Sequence, residues 1–150
     1  MTDIKSKEER RRNMSAIRSK DTKPELYIRS MLHRKGYRFR VHSNKVPGHP
    51  DLFLKKYNTA IFVHGCYWHR HQGCKYAYTP KSRVDFWKAK FDQNIRRDME
   101  IRAILEQERI KCLVIWECTI KTMSKNENEE SCVLDKIEGF LNSEDLYSEF

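Results

Sequence analysis

The chain has 150 residues, 39% hydrophobic and 34% charged, with 30 Lys and Arg against 21 Asp and Glu for a net charge of +9. That length suits one domain able to bury about 70% of its unfolded surface, and the longest apolar runs, 60–63 and 112–116, fall far short of the ~20 residues a membrane-spanning helix needs. Residues 1–10 hold no apolar stretch that could act as a secretory signal, so a cytoplasmic protein is expected and secreted, fibrous and membrane classes are set aside.

Residues 1–23 carry eight basic side chains, four acids and almost no large apolar residues, the composition of a basic arm. Asp21-Thr22-Lys23-Pro24-Glu25 then reads as a helix start, with a capping side chain, an early proline and an acid in the first turn. Leu26, Ile28, Met31 and Leu32 supply its apolar stripe and Gly36 ends it. Residues 37–41 alternate polar and apolar as a half-buried strand does. Pro47-Gly48-His49-Pro50 is a turn, 51–54 and 59–63 are short strands, and Asn58 suits the turn between them. A His/Cys-rich segment, 64–74, runs into a loop to about Ser82. A long helix is expected over 84–109, with Trp87, Phe91, Ile95 and Met99 stepping by four along one face. Residues 112–116 read as a buried strand and 130–141 as a final amphipathic helix. The expected fold is therefore α/β, a small mixed central sheet flanked by helices, in a single domain spanning 1–150. Its end, 124–150, holds two lysines against eight acids, leaving a net +15 on residues 1–123. A basic body suits a polyanionic partner, because each cation that neutralises a phosphate releases counterions. The competing reading is that the charge only confers solubility.

Five cysteines (66, 74, 112, 118 and 132), an odd number in a cytoplasmic chain, argue for metal ligation or core packing over disulfides. His64, Cys66, His69, His71 and Cys74 crowd potential ligands into eleven residues. Structural zinc asks for four soft or borderline ligands in a tetrahedron, and Cys66, His71, Cys74 and Cys118 are the expected set, the last returning on a loop after strand 112–116. The alternative is that Cys66 and Cys118 are core thiols and the histidines polar loop residues. Cys112 and Cys132 are both read as core.

A second constellation is Glu25, Asp51, His64 and His69. Magnesium takes carboxylate and carbonyl oxygens and keeps several waters. If strands 51–54 and 59–63 pair antiparallel, Asp51 comes to lie beside Val63 and His64, where a carboxylate and a strand-end carbonyl can hold such an ion against a phosphate. His69 is then placed to take a proton from water or to stabilise phosphate charge.

The string Phe62-Val63-His64-Gly65-Cys66-Tyr67-Trp68-His69, preceded by Pro47 to Asp51 and followed by Phe86-Trp87, Arg97-Asp98 and Trp116-Glu117-Cys118, resembles the very-short-patch repair mismatch endonucleases, a branch of the PD-(D/E)XK nuclease superfamily. The resemblance covers roughly residues 10–122. It implies a restriction-endonuclease-like fold in which Asp51 and the Val63 carbonyl bind catalytic magnesium, Glu25 orients its water, and His64 and His69 replace the superfamily's usual acid and lysine. It likewise implies that the four proposed zinc ligands form a structural zinc site, although one extra residue at Gln72-Gly73 lengthens the loop to Cys74. The implied substrate is duplex DNA bearing a T·G mismatch left by deamination of 5-methylcytosine, nicked 5′ of the thymine. Met14, Tyr67 and Trp68 match the side chains that wedge into the base stack, which costs least at a mispair. Lys90 and Asn94 match positions that touch nearby bases. A bacterial, nucleoid-associated monomer with unidentified repair partners is implied. Two further readings fit the same residues: a related zinc-stapled nuclease with another DNA target, and a zinc-containing DNA-binding protein without catalysis.

Overall fold

The computed structural model describes residues 21–150, so residues 1–20 of the basic arm, Met14 included, lie outside the described residues, and its last residues belong to the start of the first helix. Five strands form one mixed sheet in chain order, β1 (Arg40–Val41), β2 (Leu52–Leu54), β3 (Thr59–His64), β4 (Lys111–Trp116) and β5 (Tyr147–Glu149). The first three pair antiparallel and the last three parallel. Among the described residues four helices cover it: α1 (Lys23–Arg34), α2 (Val84–Gln107), α3 (Glu117–Lys125) and α4 (Glu127–Leu141). The mixed α/β architecture agrees with the sequence reading. Among the described residues no helix is long and apolar enough to cross a membrane.

Thr22 caps α1: its hydroxyl accepts from the Glu25 N–H at 3.4 Å. Residues 37–41 form far less strand than expected, because the Tyr37 N–H bonds back to the Leu32 carbonyl at the helix end. Only Arg40 and Val41 reach β2, while Tyr37 and Phe39 pack on the core instead. Between β2 and β3 a short 3-10 turn ends at Asn58, whose left-handed backbone (φ 50°) closes the connection.

Strand alternation splits the core in two. Leu52, Leu54, Ile61, Leu113 and Ile115 face α1, α3 and α4. Ala60, Phe62, Cys112, Val114 and Trp116 face the other way, with Leu105 and Ile101 of α2. Both faces of β4 are therefore buried, which is why it reads as one continuous apolar run.

Three expectations are corrected. The Trp87, Phe91, Ile95, Met99 stripe does not stay on the core: Ile95 is 40% and Met99 66% exposed. Each step of four overshoots a helical turn by about 40°, so the line winds to the surface, and Phe91 and Leu105 are the buried pair. Cys118 sits not on a loop but in the first turn of α3, a short helix whose core contacts are only Ile120 and Met123. Cys132 is exposed on α4, not buried. That helix begins at Glu127, where the Asn126 side chain accepts from the Asn128 and Glu129 N–H groups.

The acidic end is built into the fold. The buried Lys111 ammonium donates to the carbonyls of Phe140, Leu141 and Ser143, placing a cation on the C-terminal end of α4, where the helix dipole favours it. The Tyr27 hydroxyl donates to Glu130, and β5 continues the sheet beside β4.

The turn preceding Asp51 is fixed by Gly48, whose φ is +83° and whose missing Cβ would fall 2.4 Å from Ile101 Cγ2 and 3.2 Å from Phe62 Cζ. Gly48→Ala therefore combines a strained backbone with a clash against α2. Thermal and urea denaturation should show a loss of about 3 kcal/mol.

Candidate active site and metal centre

The β2–β3 ladder stops at Leu52 paired with Ile61, which leaves the Val63 N–H without a strand partner on β2. The Asp51 carboxylate takes that place, accepting from Val63 N at 2.7 Å through Oδ2. Glu25, only 4% exposed on α1, lies beside it. Burial, partly opposed by the Val63 N–H and reinforced by the Glu25 charge, pushes the Asp51 carboxyl up to about 6. Glu25 is held from behind: its Oε2 accepts from the Asp21 N–H at 2.8 Å and from Arg29 Nη2 at 3.3 Å. Arg29 Nη2 also lies 2.7 Å from Asp21 Oδ1 and 2.8 Å from His42 Nε2, and the His42 N–H donates to the Asp51 carbonyl. Two crowded acids at the end of a strand fit a hard divalent cation, whose charge would offset the burial and the Glu25 repulsion that raise Asp51.

His64 and His69 stack face to face, with centroids 3.8 Å apart and planes 3° from parallel. His69 Nδ1 donates to Asp98 Oδ2 at 2.7 Å, which leaves Nε2 as the nitrogen able to accept a proton. His64 is wedged against Phe62 and Trp116. Burial, followed by the neighbouring His69, brings its pKa down to about 3, so it stays neutral. The residues read as one constellation thus form two pairs. Val63 and His64 point to opposite faces of β3: the carboxylates group with α1, whereas the imidazoles group with Asp98 in a cavity of about 690 Å³ behind α2. The peptide between Val63 and His64 joins the pairs at the strand end.

Cys66, His71, Cys74 and Cys118 converge with ligand atoms all within 4.8 Å of one another. His71 Nδ1 is 3.6 Å from Cys66 Sγ and 3.4 Å from Cys118 Sγ, and its ring stacks on Trp116 at 4.1 Å. The four expected residues are brought together, and Gly73, just before Cys74, turns the loop with a φ of +74°. Burial pushes the Cys66 thiol up to about 12 although the Cys118 N–H donates to its sulfur. Burial also raises Cys74, but the N–H groups of Tyr76 and Ala77 and the neighbouring thiols outweigh it and lower the net value. Only Cys74 is thereby drawn toward its thiolate; three cysteines with an imidazole fit a borderline-soft cation, whose binding would displace the thiol protons.

Tyr67 and Trp68 meet edge to face at 4.9 Å and are half-buried, outside both core clusters. Trp87 and Phe91 of α2 complete the aromatic group around them. Asn94 donates through Nδ2 to the Trp68 carbonyl at 3.1 Å, so its amide already holds the loop, while Lys90 is exposed on the same helix. Sequence reasoning missed Asp98 as the partner of His69, a pairing across 29 residues that no local pattern encodes. Arg29 was within reach, since Glu and Arg at i and i+4 share a helix face.

In chelator, Asp51→Asn keeps an acceptor for the Val63 N–H and removes the charge. The folded Asp51 pKa, about 6, exceeds the unfolded one, about 3.9, so ionisation costs stability as pH rises through that window. The variant should be more stable than the parent by on the order of 2 kcal/mol at pH 7.5 and indistinguishable near pH 4, measured as melting temperature across pH.

A family model described as DNA mismatch endonuclease Vsr matches residues 2–75. The chain is 42% identical over 135 residues to the type II nicking enzyme V.XorIIP of Xanthomonas oryzae pv. oryzae, covering 90% of this chain and 98% of that protein. It is 41% identical over 121 residues to the type II nicking enzyme V.NmeAIP of Neisseria meningitidis serogroup A, covering 81% and 86%. Against the DNA mismatch endonuclease Vsr of Escherichia coli K12 the identity is 36% over 129 residues, covering 86% and 82%. With its sheet, its paired carboxylates and its Cys/His cluster in place, the chain belongs to the Vsr family of DNA endonucleases.

Proposed function

We propose that this endonuclease nicks one strand of duplex DNA 5′ of the thymine in a T·G mismatch, such as deamination of 5-methylcytosine leaves, using magnesium, and acts as a cytoplasmic monomer. The observation that carries the reading is the strand end that presents Asp51, bound to the Val63 N–H, on one face and the stacked His64–His69 pair on the other. Asp51 and the Val63 carbonyl would hold the magnesium, which supplies charge stabilisation at the phosphoryl oxygen and leaving group. Glu25, clamped by Arg29, is the acid that orients water. His69, with Nδ1 committed to Asp98, offers Nε2 as general base or phosphate partner, and neutral His64 donates to the scissile phosphate without the cost of a buried charge. The relatives named as nicking enzymes support cutting of a single strand. Tyr67 and Trp68 serve as the wedge, with Met14 of the arm as its counterpart. Lys90 contacts DNA beside the mismatch, and Asn94 does so in addition to holding the Trp68 carbonyl. Zinc in the Cys66, His71, Cys74 and Cys118 cluster would close a four-coordinate structural site.

A hairpin with a T·G pair should be nicked in magnesium, and its T·A control should not. Cutting of both would point to a nuclease with another target, and a mobility shift without cleavage would point to a binding protein. Asp51→Ala should reduce nicking by at least about 100-fold while mismatch affinity stays within about threefold. Loss of both together would mean that Asp51 is structural. Cys118→Ser should lower the zinc content from about one ion per chain and depress the melting temperature by several degrees, read by atomic absorption and calorimetry.

A further inference from the structure

The side chain at position 70 lies between His69 and the cluster ligand His71, and it does neither residue's work. Its guanidinium reaches three backbone carbonyls: Nη1 donates to Tyr67 and to Tyr78, each at 3.1 Å, and Nη2 to Ala77 at 2.9 Å. Its carbon lies 3.9 Å from the centroid of the Phe91 ring on α2 and 5.6 Å from that of Tyr67. Arg70 also holds a left-handed backbone, φ +56°, a conformation that a long side chain keeps only where its surroundings over-determine it.

Residues 65–83 contain no helix or strand; the Gly65, Cys66, His71 and Cys74 carbonyls find backbone N–H partners in turns, whereas those of Tyr67, Trp68, Ala77 and Tyr78 are taken by side chains. Arg70 ties the two limbs of this loop together, Tyr67 on one and Ala77-Tyr78 on the other, and seats both on α2. The Trp68 carbonyl is taken by Asn94 of the same helix. Both carbonyls of the aromatic pair are therefore gripped by side chains, one by a guanidinium and one by an amide. Lysine could keep the cation over Phe91 but not a planar fork donating from two nitrogens to three oxygens.

We infer that Arg70 is a positioning residue for mismatch discrimination: it pre-sets the Tyr67–Trp68 backbone in the shape that enters the base stack, independently of the metal cluster beside it. The inference rests on the wedge reading given above. Ordering the loop before DNA arrives removes an entropic cost from every encounter, and a wedge set in advance favours the step that parts most readily.

The test uses the full-length protein and duplexes with 2-aminopurine beside the T·G pair or beside T·A in the control, in magnesium-free buffer so that no nick forms. The parent should raise the fluorescence of the T·G duplex only. In Arg70→Lys and Arg70→Ala the amplitude should fall to half or less. The KM for T·G nicking in magnesium should rise about tenfold, a larger change than in kcat, with zinc per chain unchanged. Parental amplitude and KM in both variants would overturn the inference, as would a loss of signal that always accompanies loss of zinc. A parent that leaves T·G fluorescence flat would instead sink the wedge reading itself, before any Arg70 variant is needed.

Discussion

The hydrogen bond from the Val63 N–H to the Asp51 carboxylate organises everything around it. It exists because the β2–β3 ladder ends two residues short of Val63, so an orphaned donor at the end of a buried strand finds its acceptor in a side chain. That bond holds a carboxylate at a strand end where burial and Glu25 both resist its charge. One residue further along, the alternation of the strand sends His64 to the opposite face. A phosphodiester lying across this end would meet acids on one side and imidazoles on the other, without either pair having to share a crowded pocket.

This division explains what the sequence could and could not reveal. Asp51, Val63 and His64 were legible because antiparallel pairing of two short runs puts their ends together, and pairing follows from local pattern. The convergence of Cys66, His71 and Cys74 was legible from the density of Cys and His alone. That the histidines and acids lie on opposite faces depends on the exact end of the ladder, a tertiary fact. Asp98 was invisible as a partner because α2 had to be docked before its residues could be matched to the loop. α3 escaped notice because it is nine residues long with one apolar pair facing the core, too little periodicity to register. β5 is a three-residue edge whose pairing, not its composition, makes it a strand.

The Cys/His cluster and the aromatic group share one loop, and their supports differ. The cluster draws on Trp116, through its stack with His71, and on the first turn of α3 through Cys118. The aromatic group draws on α2 through Phe91, Trp87 and Asn94. Elements from both sides of the sequence therefore converge on residues 64–78, which have little apolar core of their own. Side-chain clamps replace the burial that would otherwise fix such a segment.

The distribution of charge follows from the same layering. Segment 64–83, which carries the cluster and the aromatic pair, holds four basic side chains and no acid, whereas α4 holds five acids and one lysine. The sheet separates them, since α4 packs with Leu113 and Ile115 on one face and Cys66, Cys74 and Cys118 pack with Trp116 on the other. A net positive charge spread evenly would attract DNA in any orientation. Because α2, on the loop's side, balances five acids with five basic side chains while α4 is net negative, the field has a direction that would repel a polyanion from α4 and draw it toward the loop. The acidic end thus serves twice from one position: Lys111 locks it against the sheet, and its charge would favour approach of a polyanion from the opposite face.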